Sequence, residues 1–542
     1  MHRTRFSLST LPLILLVGLL ALPVLALLAS WLPWGVVPAD TGAILREMAS
    51  TVLPGYVWTT LWLGLWVAVG AAVVGTATAA AVTLFEFPGR RVFEWLLLLP
   101  LAMPAYVTAY AYTDFLQFSG PLQVGLRETF GLEGRLLPEV RSLWGAIWVF
   151  TFSLYPYVYL LARTALGERA AHLMEAARLL GAPLSRRITS IALPLARPAV
   201  AAGVALALME TLADFGVTSY FGIQTFTTGI IKAWLSMDNR IAAAQLSTML
   251  LALVLVLLWL EHRAERRMRF TAKGTGHAGA TEAQPVPLRG LARGLAWGVC
   301  TLPVFMGFVA PVAFMLRPLA SDWSVLPWSR FLEWAWNSVR LGGITAGLAV
   351  AVALALAFAV RRRPDLLTRG VVRLASVGYA VPGAVIVVGL LLPVGWVQAH
   401  FPQWGVGALV TTTAVGIVWA YLVRFCAVAL QSVQSGYARI PASLDDSARM
   451  LGAGSARLMA NVHWPLLRRS TAAAALLVFV DVMKELPATM VLRPFNSDTL
   501  AVVAYQLARD ERLGEAALPS LALVAVGLVP VILLSRTLRG RA

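Results

Sequence analysis

EAARLLGAPLSRRITSIALP, residues 175–194, is a polar, arginine-bearing stretch set between apolar runs, and the chain uses its pattern twice. The spacing predicts a short helix from Glu175 to Leu180 that stops at Gly181. Glycine tolerates a left-handed backbone there, and Pro183 blocks helical continuation. A second helical piece follows, and Pro194 opens a long apolar run where its missing N–H does little harm. The second copy, DSARMLGAGSARLMANVHWP, spans Asp446 to Pro465, with Gly452 at the place of Gly181, Val462 at that of Ile191 and Pro465 at that of Pro194. The offset is 271 residues (446 − 175), half of a 542-residue chain. Two such loops imply a duplicated membrane protein with two matching docking elements.

The spacing (Glu-Ala-Ala, three residues, Gly, nine residues, Ile-x-Leu-Pro) resembles the cytoplasmic-loop signature of permease subunits in binding-protein-dependent ABC importers. Glu175, Ala176, Ala177, Gly181, Ile191, Leu193 and Pro194 match every position, and Arg178 follows the triplet. The second copy is degenerate: Asp446, Ser447 and Ala448 stand for the triplet, then Arg449, while Gly452 and Pro465 are kept. The flanking stretches LMETLADFGVTSYFGIQTFTTGI (208–230) and VMKELPATMVLRPFNSDTLAVVAYQLARDERLGEAALP (482–519) resemble the ferric-iron branch of that family. The resemblance implies an all-α polytopic protein of two fused six-helix permease halves, type I importer-like. It also implies two ATP-binding subunits docked on the loops and a periplasmic substrate-binding protein. Ferric iron is the substrate it implies first, with thiamine or another small solute as the alternative. A secondary transporter driven by an ion gradient is the rival of a different class, and it would have no use for duplicated docking loops.

Composition excludes a soluble domain. Apolar residues make up 59% of the chain, charged residues 13%, and mean hydropathy is +0.74. The net charge of +17 is almost all arginine and sits in short loops between apolar runs. That placement suits a lipid surface rather than nucleic acid. Apolar stretches of about 20 residues predict about twelve spans. Six lie near 11–33, 57–84, 93–114, 143–164, 196–219 and 241–260. The others lie near 294–316, 337–360, 372–395, 407–430, 471–492 and 517–535. The first follows Arg3 and Arg5 like a secretory signal, yet it is long and lacks a clear small-residue cleavage site, so it reads as a retained span.

Arginine placement predicts a cell inner membrane protein with the N-terminus, the linker and the C-terminus in the cytoplasm. The expected organisation is a first half over 1–260, a polar linker over 261–290 and a second half over 291–542. AMPAYV (102–107) against AVPGAV (380–385) and FPGRR (87–91) against RRRPD (361–365) are further echoes.

Lys232, Lys273 and Lys484 are followed by Ala233, Gly274 and Glu485, so the Gly-Lys-Ser/Thr of a phosphate-cradling loop is not encoded. ATP is therefore expected to act through partner subunits, with no cofactor held by this chain and no catalytic residues. His172, His262, His277, His400 and His463 lack paired ligand spacing and read as loop or interface residues. The remaining chemistry is carboxylate. Glu210 and Asp214, and again Asp481 and Glu485, are four apart near the ends of apolar runs, offset by the same 271 residues. Helical spacing would put each pair on one face, and carboxylates in a bilayer cost about 2.5–3.5 kcal/mol each, so they are expected to line the substrate path in its outer part. The competing reading is a structural pair with Lys484 or an arginine.

Overall fold

The computed structural model describes residues 11–31, 41–167, 171–272, 285–321, 323–324, 326–362 and 365–539. The N-terminal arginines, Arg169, His277 and the middle of the expected linker lie outside them. The chain is helical almost throughout, as an apolar chain in lipid must be to satisfy its own backbone groups. Among the described residues, ten helices are long and apolar enough to cross a membrane. The pair Arg90–Ala102 and Ala105–Phe130, bent by 88°, makes an eleventh if counted as one span. The twelfth expected span is the helix Trp464–Lys484, which carries Arg468, Arg469, Asp481 and Lys484 and so falls outside that count. The helix Leu53–Leu84 shows why lipid is the solvent: Trp58, Leu61, Leu65 and Val73 are all more than half exposed.

The chain divides into two compact units, and they are not the two sequence halves. One comprises Met1–Glu47, Ile230–Thr248 and Trp328–Val503; the other comprises Met48–Gly229, Met249–Pro327 and Ala504–Ala542. The expected halves, 1–260 and 291–542, describe the repeat along the chain, and packing draws helices from both into each unit. In the first unit the helices Trp328–Arg362, Ala414–Tyr437 and Trp464–Lys484 pack on one another. The N-terminal helix Leu11–Ala29 lies on Gly383–His400, although the two come from opposite halves of the sequence. Gly389 permits this contact, because a Cβ there would collide with the Pro23 carbonyl. The Trp419 indole donates to Leu19 O at 3.0 Å and ties the same helix down.

The second unit repeats the three-helix core with Leu53–Leu84, Leu143–Ala165 and Leu193–Ala213. Glycines again set the spacing: Cβ atoms at Gly75 and Gly203 would each stand 2.6 Å from Val158. The helices Ala310–Ser321 and Leu513–Arg539, from the second half of the sequence, pack beside Ala105–Leu116 in this unit. Part of the expected linker is ordered: Val286 and Pro287 pair in parallel with Phe85 and Glu86. The Trp297 indole donates to Pro88 O at 2.9 Å, against Gly89 in a left-handed turn. The AMPAYV and AVPGAV echo is structural as well. Pro104 and Pro382 each open a helix after a 3-10 turn, with φ,ψ of −59°,140° and −57°,143°.

Candidate functional site: paired loop helices and paired helix breaks

The two loops fold alike, each within its own unit. The first helix is Ala171–Leu179 and the second Ala442–Met450, so each begins four residues ahead of the motif. Both end in the same Schellman cap. Ala182 N donates to Ala177 O at 2.9 Å and Gly181 N to Arg178 O at 3.0 Å; Ala453 N donates to Ala448 O at 3.0 Å and Gly452 N to Arg449 O at 2.9 Å. Gly181 and Gly452 take φ of 78° and 79°, the left-handed conformation expected of them. After Pro183 and Gly454 the chain resumes as a helical turn. It then widens into a π turn, Ile188–Ala192 or Leu458–His463, before the long helices that carry Pro194 and Pro465 in their first turns.

Several motif residues face solvent. Glu175 and Arg178 lie 3.9 Å apart, Asp446 and Arg449 3.5 Å, and all four are substantially exposed. Ala176 and Ser447 are exposed, and Ala177 and Ala448 are partly covered. The motif did not single out the most exposed apolar side chains of the two loops. Leu179 and Leu180 are 83% and 87% exposed, and their repeat equivalents Met450 and Leu451 85% and 89%. An aliphatic pair before a left-handed glycine, in a polar loop and repeated at 271 residues, was the available signal. Beside the second loop is a cavity of about 370 Å³ lined by Phe358, Arg362, Arg449, Ala453, Gly454, Ser455 and Leu458.

The inner faces of the two loop helices differ. In the first copy Met174 is buried in a hydrophobic core with Leu166 and Ala192. At the equivalent three places the second copy has Asp445, Tyr437 and His463. Asp445 Oδ2 accepts from Arg361 Nε at 2.8 Å, and His463 Nε2 meets Asp445 Oδ1 at 3.0 Å. The Tyr437 hydroxyl meets His463 Nδ1 at 3.2 Å. Burial works against the charge on Asp445, but the hydrogen bonds from Arg361 and His463 outweigh it, so its carboxyl sits below the ordinary range. His463 is therefore part of a buried polar anchor, more specific than the loop or interface role expected of it.

The carboxylates at the far helix ends sit at helix breaks. The helices stop at Ala213 and Lys484, and at Asp214 and Glu485, which close them, the chain turns away with ψ of 132° and 127°. Each carboxylate caps the short helix that follows, Gly216–Tyr220 or Pro487–Leu492. Asp214 Oδ1 accepts from Val217 N at 2.8 Å. Glu485 accepts from Ala488 N at 3.2 Å, Thr489 N at 3.0 Å and Thr489 Oγ1 at 2.9 Å. Glu485 is also paired with Arg424 Nη1 at 3.2 Å and is 5% exposed. That bonding pairs it with an arginine that the carboxylate spacing could not name. Glu210 and Asp481 are partly buried, one turn before each break. Among the described residues no group of three or more His, Cys, Asp or Glu is placed to hold a metal.

Paired loops, paired breaks and lipid-facing helices are the parts of a membrane transport component. Residues 71–270, which include the first loop, match the family model of the binding-protein-dependent transport system inner membrane component. A Haemophilus influenzae protein described as "Fe(3+)-transport system permease protein FbpB 2" is 27% identical over 88% of this chain and 88% of its own length. This chain is an ABC importer permease. A Sinorhizobium fredii protein described as "Probable ABC transporter permease protein y4fN" is 25% identical over 89% of the permease and 87% of its own length. An Actinobacillus pleuropneumoniae protein described as "Ferric transport system permease protein FbpB" is 22% identical over 86% and 68%. Permeases of this kind are multi-pass inner-membrane proteins that work with ATPase and binding-protein partners.

Proposed function

We propose that this permease imports ferric iron handed over by a periplasmic binding protein, using ATP hydrolysed by two separate ATP-binding subunits. The iron reading is supported by the printed descriptions of two relatives that align along most of the chain. The coupling reading is carried by one observation: Leu179 and Leu180, and Met450 and Leu451, stand exposed at the ends of identically capped helices. A projecting helix end with bare aliphatic side chains and a rim arginine suits a groove on a partner. On this reading Glu175, Ala176, Ala177, Arg178, Gly181 and Pro194 form one ATPase-coupling loop. Asp446, Ser447, Ala448, Arg449, Gly452 and Pro465 form the other. The chain itself holds no cofactor, and its termini and 261–290 linker lie in the cytoplasm. Glu210, Asp214, Asp481 and Glu485 are the substrate-path candidates, Glu485 being paired with Arg424.

The test is uptake of radiolabelled ferric iron by vesicles containing the permease, its ATPase and its binding protein. Leu180→Asp with Leu451→Asp is expected to abolish uptake and ATPase co-purification while the permease still inserts. Undiminished uptake in that variant would remove the loops from coupling, and transport of another solute without iron would remove the substrate.

A further inference from the structure

The two helix breaks share backbone geometry and differ in charge. In the break at Glu485, Arg424 neutralises the carboxylate. In the break at Asp214, the 271-residue register puts Ser153 at the place of Arg424, and Asp214 makes no ion pair among the described residues. Ser153 is 3% exposed, and its hydroxyl has no hydrogen-bond partner among the described residues. The two carboxylates thus hold equivalent places: one is paired with a cation, and for the other a neutral residue stands at the register position of that cation.

Around this break the unit collects phenols. Tyr106, Tyr110, Tyr220 and Tyr505 are 4%, 3%, 8% and 3% exposed. The Tyr110 ring lies 5.7 Å from that of Tyr106 and 4.7 Å from that of Tyr220, centre to centre. Phe215, next to Asp214, packs on the Tyr505 ring at 5.7 Å, and the Tyr110 hydroxyl has no hydrogen-bond partner among the described residues. Tyr220 accepts from Arg141 at 2.9 Å, and Tyr505 shares a 2.8 Å hydrogen bond with Ser219. Gly216 lets the break close on Tyr106, whose Cβ would stand 2.6 Å from a Cβ at that position. A buried hydroxyl without a partner costs about 1–3 kcal/mol, so its persistence in a crowd of oxygens calls for a ligand.

We propose that Tyr110, Asp214 and the neighbouring phenols form an all-oxygen transit site for a dehydrated hard cation, which here takes the electrostatic part that Arg424 plays at the other break. The site rests on the iron reading above and names Fe3+ as its occupant, since hard carboxylate and phenolate oxygens suit hard cations. Binding exchanges Fe–O bonds to the departing oxygen ligands for Fe–O bonds to the site. Asp214 ligates as the carboxylate, each phenol that ligates gives up its proton to a departing oxygen ligand, and the iron stays ferric throughout.

The experiment titrates the purified full-length permease with ferric citrate and follows the visible charge-transfer absorption of iron–phenolate, with gallium citrate as a colourless competitor. The wild type is expected to develop the band and lose it to gallium. Tyr110→Phe keeps the ring and removes a hydroxyl that bonds to nothing, so its melting temperature should hold or rise. Its iron affinity and its uptake with partner subunits should fall about tenfold or more, the scale of perturbed metal shells. Ser153→Arg, which imports the other break's cation, should abolish the band. Wild-type affinity and uptake in Tyr110→Phe would overturn the proposal while leaving the iron reading intact, as would iron import by a wild type that shows no band. A complex that moves another solute and no iron would take both down.

Discussion

Gly181 and Gly452 are the residues on which each loop turns. A Cβ at either meets no atom within 4 Å, so the demand for glycine is conformational alone. Forcing a β-branched side chain to φ near 78° costs about 1–2 kcal/mol. Gly181→Val and Gly452→Val are therefore expected to undo the Schellman cap and let Leu180 or Leu451 swing out of register. ATPase co-purification should weaken in both while membrane insertion is unchanged. Full co-purification with either variant would show that the cap does not position the aliphatic pair. At the same scale, spacing does not show what a carboxylate bonds to. Asp214 and Glu485 sit four residues on from Glu210 and Asp481, where each helix ends, and their oxygens accept from the backbone of the next short helix.

At the scale of elements, one fold position is held by opposite chemistries. The helix Ala171–Leu179 is fixed by Met174 in an apolar core, and Ala442–Met450 by Asp445 between Arg361 and His463. Removing one partner of a buried ion pair strands the other, at a cost of about 3–5 kcal/mol, whereas a matched apolar set is tolerated. Asp445→Ala is expected to raise amide exchange across 442–450 sharply and leave 171–179 untouched. Equal protection before and after the substitution would mean that the anchor carries no load. The pH dependence has a fixed sign. The folded carboxyl of Asp445 lies below its unfolded value, so its contribution is complete above about pH 4 and fades as pH falls through the folded value. Exchange of 442–450 should then rise below about pH 4, and rise less in a variant carrying Asp445→Met, Tyr437→Leu and His463→Ala, the residues of the first copy.

For the whole molecule, the units exchange pieces of the two sequence halves. The helix Leu11–Ala29 belongs with Gly383–His400, and Ala310–Ser321 with Ala105–Leu116. Each half alone leaves an apolar helix without the surface it packs on. Residues 1–278 and 279–542, expressed as separate chains, are each expected to be degraded when alone and to accumulate together as a complex. Stable accumulation of either half by itself would show that the exchange adds nothing to stability. The break lies within the linker, away from the ordered strand pair at Val286 and Pro287.

What the sequence by itself determined is local and periodic: apolar length, left-handed glycines, proline-led helix starts and a 271-residue repeat. Each follows from interactions within a few residues or from the solvent a helix needs, so no partner had to be known. The tertiary structure alone decided which helices share a core, because every apolar span looks alike to lipid and only close fits such as Gly389 on Pro23 select a neighbour. It also decided the fate of the charges. Asp214 and Glu485 are equivalent by register, and whether each is neutralised depends on a residue 61 positions away, Arg424 in one case and Ser153 in the other.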